Sequence, residues 1–200
     1  MAVKPNMMEK AIHAVRDGLS SDTVLISIAA GLSLGKPCRL MPERKTKIRS
    51  RHGPIRPAMV GNGMASISSN GNVTPEETAS AVDIFSSFGK AEVVDEKLID
   101  AVCGLSGSGP AYVYLFIEAL ADGAVREGMP RQMAYTFAAQ TVLGAAKMVL
   151  ETGTHPGALK DAVCSPGGTT IEAVRTLEED GFRAAVMKAV SASAEKNRNL

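Results

Sequence analysis

The sequence predicts an α/β first part over residues 1–95 and an all-α second part over residues 96–200. Three observations carry that division. Up to about Asp95, short β-branched apolar runs alternate with helical patterns; after Glu96 no convincing strand follows; and the later helices begin at prolines and end at glycines. Two hundred residues, 45% hydrophobic and 22% charged, are enough to bury a real core as one sizeable domain or two small ones.

The elements follow in order. "PNMMEKAIHAVRDGLS" puts Met8, Ile12, Val15 and Leu19 on one helical face. "TVLISIAAG" is a run of strand length, apolar enough to be buried on both sides. "MASISSNG" reads as a strand. "TPEETASAVDIFSSFG" reads as a helix capped by Thr74, opened by Pro75 and stopped by Gly89, and "KAEVVD" as another strand. In the second part, "GPAYVYLFIEALADGAVREG" and "PRQMAYTFAAQTVLGAAKMVLETG" are helices. The latter carries Ala138, Ala139, Gly144, Ala145 and Ala146 beside Met133, Phe137 and Met148, so it wants a tight partner, from the same chain or a second subunit.

Lys36 to Arg56 fits neither part. It holds eight of the 22 Lys and Arg residues, one acidic residue and three prolines. A basic run of this kind binds nucleic acid in some proteins, but no aromatic residue is interleaved for stacking, so a solvated loop is the expectation. Net charge is only +1, which predicts no polyanion partner.

Cys38, Cys103 and Cys164 are scattered without metal-site spacing, which fits a reducing compartment and argues against zinc or a disulfide framework. His13, His52 and His155 lie far apart with no carboxylate or serine at motif spacing; solvent or helix-end roles are expected of them, and no metal site. The N-terminus lacks the apolar stretch of a secretion signal, and no run reaches membrane-spanning length, so a cytoplasmic protein without a membrane partner is expected.

"CSPGGTTIEAV", Cys164 to Val174, is the segment with chemistry. Thr169 followed by Glu172 matches a capping box, so a helix should begin near Thr170 with its N–H groups facing Gly167 and Gly168. A helix start of this kind attracts anions, and Ser165, Thr169 and Thr170 add hydroxyl donors. The pattern alone leaves two readings open, a ligand site and a well-capped interhelical turn. "GLSGSGPAY", Gly104 to Tyr112, has GxG spacing but Tyr112 at the third position and no surrounding βαβ unit, so it is read as a turn whose glycines approach another backbone or a substrate. "GNGMAS" at Gly61 reads as a loop, and "EKNRN" as a solvated tail.

Together, "LIDAVCGLSGSGPAYVYLFIEALADGAVREGMPR", "HPGALKDAVCSPGGTTIEAVRTLEEDGFRAAVMKAV" and the opening "AVKP" resemble the pyrroline-5-carboxylate reductase family. The resemblance is dense over Val73 to Leu200 and resumes over Ala2 to Gly35. It implies an enzyme that reduces the C=N bond of 1-pyrroline-5-carboxylate to L-proline with NADPH or NADH. It also implies a Rossmann-like nucleotide-binding domain over 1–95 and a helical dimerisation and substrate-binding domain over 96–200, in a homodimer or higher homo-oligomer. Carried onto this chain, Ser165 and the backbone of Gly167, Gly168 and Thr169 would hold the substrate carboxylate. Thr170 would hydrogen-bond the ring nitrogen, and Ala2, Val3, Lys4 and Pro5 would touch the cofactor.

Two departures qualify the resemblance. Family members open with a strand and a GxGxxG-type loop, whereas this sequence starts at "MAVKP", so the expectation is an incomplete cofactor domain. Lys36 to Arg56 stands where the family has a helix and a strand leading to "MPNTP". The rival expectation is a non-catalytic oligomerisation protein built on the helical part.

Overall fold

The structure, a computed structural model, describes residues 1, 3, 5–20, 23–28, 47–52 and 55–199. They form two compact units, Met1–Pro110 with Ala189–Leu200, and Ala111–Lys188.

The first unit is built on a sheet. The Met1 amino group donates to the Ile26 carbonyl, and the Ile28 N–H donates to the Met1 carbonyl at 3.2 Å, the bonding pattern of a parallel ladder. A 3₁₀ turn at Pro5–Met7 leads into α1 (Met8–Val15), and β1 (Val24–Ser27) returns beside Met1. Met8 and Ile12 are fully buried, as their spacing predicts. Val15 is 42% exposed, because α1 gives way there to a 3₁₀ turn over Arg16–Gly18 and the helical face ends.

The sheet runs β1, β2 (Lys47–His52), β3 (Gly63–Ser69), β4 (Gly89–Val93). β1 and β2 are parallel, β2 and β3 antiparallel, β3 and β4 parallel. β2 corrects the sequence reading of Lys36 to Arg56 as a loop throughout. Ladder bonds come from backbone groups that every non-proline residue carries, so a polar stretch flanked by two willing strands can complete a sheet without apolar periodicity of its own. The rest of that segment lies outside the described residues, apart from the short helix α2 (Ile55–Ala58).

β3 is covered on both faces: Ala65, Ser66, Ile67 and Ser68 are all buried, and the Ser68 hydroxyl donates to the Val94 carbonyl at 2.9 Å. Over it lies α3 (Pro75–Ser86), whose Ala81 and Phe85 join Ala65 and Ile67 in one cluster with Ile26, Ile28, Val82, Phe88 and Ala91. The capping of α3 is as read: Thr74 Oγ1 accepts from the Glu77 N–H, and Glu77 accepts from the Thr74 N–H. Gly89 is paired with Gly63, whose backbone would collide with any side chain there.

Asp95 caps a 3₁₀ turn by accepting from the Lys97 N–H at 2.9 Å, and α4 (Ile99–Val102) follows. The Gly-rich stretch read as a turn is instead a π-helical segment, Cys103–Gly107, running on toward α5 (Gly109–Arg126). Its tight approach is at Gly104, where a Cβ would stand 2.5 Å from the Val190 carbonyl and 3.3 Å from Ala194 Cβ. The C-terminal tail is also helical. In the stretch of α9 (Phe182–Arg198) that belongs to this unit, Ser193 shares a 2.7 Å hydrogen bond with Ser108, and Asn197 donates to Asp100 at 2.7 Å.

The second unit is helical. α6 (Arg131–Thr152) starts after Pro130 and ends at Gly153, left-handed at φ +65, and both boundaries are as read. Ala121, Ala134 and Ala138 are its buried hydrophobic residues among those described, packed by Ile117, Ala124, Val125 and Met129. Such small side chains allow close helix approach but bury little area. Leu115, Phe137, Leu143, Met148 and Met187 are each at least half exposed. This unit therefore presents apolar surface well beyond scattered single residues.

Candidate functional site

α7 (Pro156–Ala162) has proline at its first position and His155 as its cap. The chain leaves α7 through two backbone bonds, Val163 N–H to Lys160 at 3.2 Å and Cys164 N–H to Asp161 at 3.0 Å. It then makes a reverse turn in which the Gly168 N–H donates to the Ser165 carbonyl at 3.0 Å. Pro166 stands at the second position of that turn and Gly167, with φ +66, at the third, the arrangement a type II turn demands. Gly168 is needed for a different reason: its backbone is extended, but a Cβ would overlap Ser165 Oγ. The two glycines thus shape a turn that delivers the chain into α8 (Thr169–Glu179).

The capping box read at Thr169 and Glu172 does not form. Gly168 takes the cap position, so Thr169 is already the first helical residue and its side chain is out of register for the task. Glu172 turns instead to Arg175, at 2.6 Å, and this guanidinium holds the Glu172 carboxyl below its ordinary range. Consequently no side chain caps α8, and the N–H groups of Thr169, Thr170 and Ile171 have no acceptor among the described residues. The hydroxyls of Ser165, Thr169 and Thr170 are on exposed residues and make no hydrogen bond among the described residues. Lys160 is paired with Asp161 at 2.6 Å, which raises its ammonium above the ordinary lysine range. Free N–H groups, a positive helix end and three hydroxyls make this a place for a small anion with a second hydrogen-bonding group.

Ser165, Gly167, Gly168, Thr169 and Thr170 therefore lie together in one turn and helix start. One detail differs by atom: the Gly168 N–H is already committed to Ser165. Of the residues read as touching the cofactor, Ala2 and Lys4 lie outside the described residues. Val3 and Pro5 sit in the first unit, where the segment alongside β1 turns into the helix ahead. Cys103 is half-buried and burial pushes its thiol up. Among the described residues no group of His, Cys, Asp and Glu side chains is placed to hold a metal ion, and no helix is long and apolar enough to cross a membrane. The close backbone approach expected of the glycines in Gly104 to Tyr112 is made by Gly104, against the Val190 carbonyl. The helix-end role expected among the histidines is filled by His155 as a cap, and its signal is Pro156, since proline favours the first helical position and marks the residue before it.

Residues 96–200 match the family described as "Pyrroline-5-carboxylate reductase dimerisation". Over 199 residues the chain is 55% identical to the pyrroline-5-carboxylate reductase of Escherichia coli strain K12, covering 100% of this chain and 73% of that protein. Among solved structures it is similar to a pyrroline-5-carboxylate reductase from Coxiella burnetii, with TM-score 0.93, 32% identity and coverage of 98% of this chain and 73% of that one. The Plasmodium falciparum pyrroline carboxylate reductase with NADP bound gives TM-score 0.87 and 36% identity over 98% of this chain and 78% of that one.

Proposed function

The chain belongs to the pyrroline-5-carboxylate reductase family, and from that premise we propose that it is an oxidoreductase of the C=N bond, taking 1-pyrroline-5-carboxylate to L-proline. The observation that carries this is the open start of α8. The substrate has a carboxylate next to a ring nitrogen, and the helix start offers an anion cradle next to the Thr170 hydroxyl.

In this reading the carboxylate accepts from the N–H of Thr169, from that of Gly167 and from the Ser165 hydroxyl. Gly168 contributes by having no side chain, since its own N–H closes the turn. Thr170 hydrogen-bonds the ring nitrogen and steadies it as it becomes an amine. A protonated imine is already electrophilic, so the work of these residues is orientation, and no paired carboxylates are needed.

A bound pyridine nucleotide supplies the hydride. Val3 and Pro5 fit its neighbourhood in kind: they follow Met1, which bonds to the β1 segment in the parallel pattern, toward the edge on which open α/β sheets bind ligands. The relative from Plasmodium holds NADP; whether this chain takes NADPH or NADH is decided by comparing the two. The exposed apolar residues of the helical unit support a homodimer, with 96–200 as the dimerisation and substrate-binding domain. Titrating the chain with each cofactor and with L-proline by calorimetry, beside a cofactor-oxidation assay, tests the reading. Micromolar cofactor binding with turnover supports it. A stable dimer that binds neither ligand would favour the rival, a non-catalytic oligomerisation protein.

A further inference from the structure

Pro156 has no N–H, so the first amide hydrogen of α7 belongs to Gly157, and it is donated to His155 Nδ1 at 3.0 Å. The His155 carbonyl accepts the first bond of the helix, from the Leu159 N–H at 3.2 Å. Accepting at Nδ1 requires the neutral ring with its proton on Nε2. A second proton would land on Nδ1, remove the acceptor and place a positive charge at the positive end of the helix. Serine, threonine and asparagine caps keep their acceptor at every pH near neutrality; Thr74 on α3 is one. Histidine changes charge between about pH 5 and 8.

α7 has only 7 residues, too few to hold itself, and its cap therefore matters more than in a long helix. Two residues, Val163 and Cys164, separate it from Ser165, and each is tied to its last turn by a backbone bond. In the turn that precedes His155, Thr152 is bonded to Thr154 at 2.9 Å. Glu151 at the end of α6 is paired with Lys147 at 3.3 Å, and Lys160 on α7 with Asp161 at 2.6 Å; neither pair includes His155. Among the described residues the ring's hydrogen bond is the cap.

We propose that His155 is a positioning residue, a proton-sensitive cap that holds α7 and the Ser165–Gly168 turn when neutral and loosens both when protonated. Its consequence for ligand affinity rests on the substrate reading of that turn. The sign follows from the acceptor: order is present at higher pH and is lost as pH falls.

The test is NMR on the full chain between pH 8 and 5.5, reading exchange protection at the Gly157 and Gly168 amides, the His155 ring signals and L-proline affinity. L-Proline keeps its carboxylate and ammonium throughout that range. The expected result is protection at both glycines falling about fivefold in step with the His155 titration, with L-proline affinity falling alike. His155→Asn restores a permanent acceptor and should be flat and protected; His155→Ala should be flat and unprotected. A wild-type Gly157 that does not respond, or a His155→Asn protein that keeps the full pH dependence, overturns the proposal. If both amides respond while L-proline binds at no pH, the cap stands and the substrate reading of the turn fails.

Discussion

Two helix starts in this molecule carry the same letters, Thr-x-x-Glu, and behave differently. At α3, Thr74 and Glu77 close on each other's backbone N–H groups and the helix end is sealed. At α8, Thr169 and Glu172 do not meet, because Gly168 takes the cap position and moves both residues one place into the helix. What decides the outcome is the residue before the threonine. Val73 leaves Thr74 extended as the cap, whereas the Ser165–Gly168 turn spends its geometry on bringing a bare backbone into the helix. One start is sealed by side chains and the other is left open.

The largest test of that contrast is at the open start. Thr170→Ala should lower kcat about 100-fold with little change in Tm, since a single well-placed hydrogen bond to the reacting group in the transition state is worth roughly that much. Steady-state kinetics beside thermal unfolding would check it. A mutant with full turnover would remove Thr170 from the reaction. Gly168→Ala comes next: the new methyl overlaps Ser165 Oγ, so the turn must shift and L-proline affinity should fall about tenfold. Calorimetry reads that directly, and unchanged affinity would mean the turn geometry is not what positions the carboxylate.

At the sealed start the same logic predicts stability without function. Thr74→Ala removes an acceptor from α3 and should cost about 1 kcal/mol in urea unfolding, with L-proline binding unchanged. A loss of binding there would mean that the two helix starts are coupled.

Much of this was legible in the sequence, and the failures share a cause. Thr74, Pro75, Pro130, Gly153 and the burial of Met8 and Ile12 follow from local rules: capping chemistry, the missing proline N–H, and the helical period. The Ser165–Gly168 turn and the helix start after it were legible as a group because glycine, proline and threonine mark them. β2 was not, since its ladder depends on two neighbouring strands rather than on its own side chains. The close approach of a glycine in Gly104 to Tyr112 was legible but its partner was not, since Val190 lies far along the chain. The false capping box at Thr169 is the same failure at short range: the motif fixes which residues can pair, while the preceding turn fixes the register in which they arrive.

The smallest effect isolates that register. If Glu172 closed a capping box, Glu172→Gln would preserve it, because glutamine also accepts from the cap N–H. Since Glu172 pairs with Arg175 instead, and Arg175 also holds Glu179, the substitution removes one exposed ion pair and leaves a second in place. Exposed pairs on a helix contribute little, so stability at neutral pH should drop only slightly. The pH dependence gives the sharper readout. The Glu172 carboxyl lies below its ordinary value in the folded chain, so its contribution is present above the ordinary carboxylate range and is lost as pH falls through the lowered one. Urea unfolding of the two proteins at falling pH should therefore converge in acid and separate toward neutrality, with the gap closing in high salt. Two proteins that show no gap at any pH would put Glu172 back at the helix start as a cap, which glutamine preserves, and erase the difference between the two threonines.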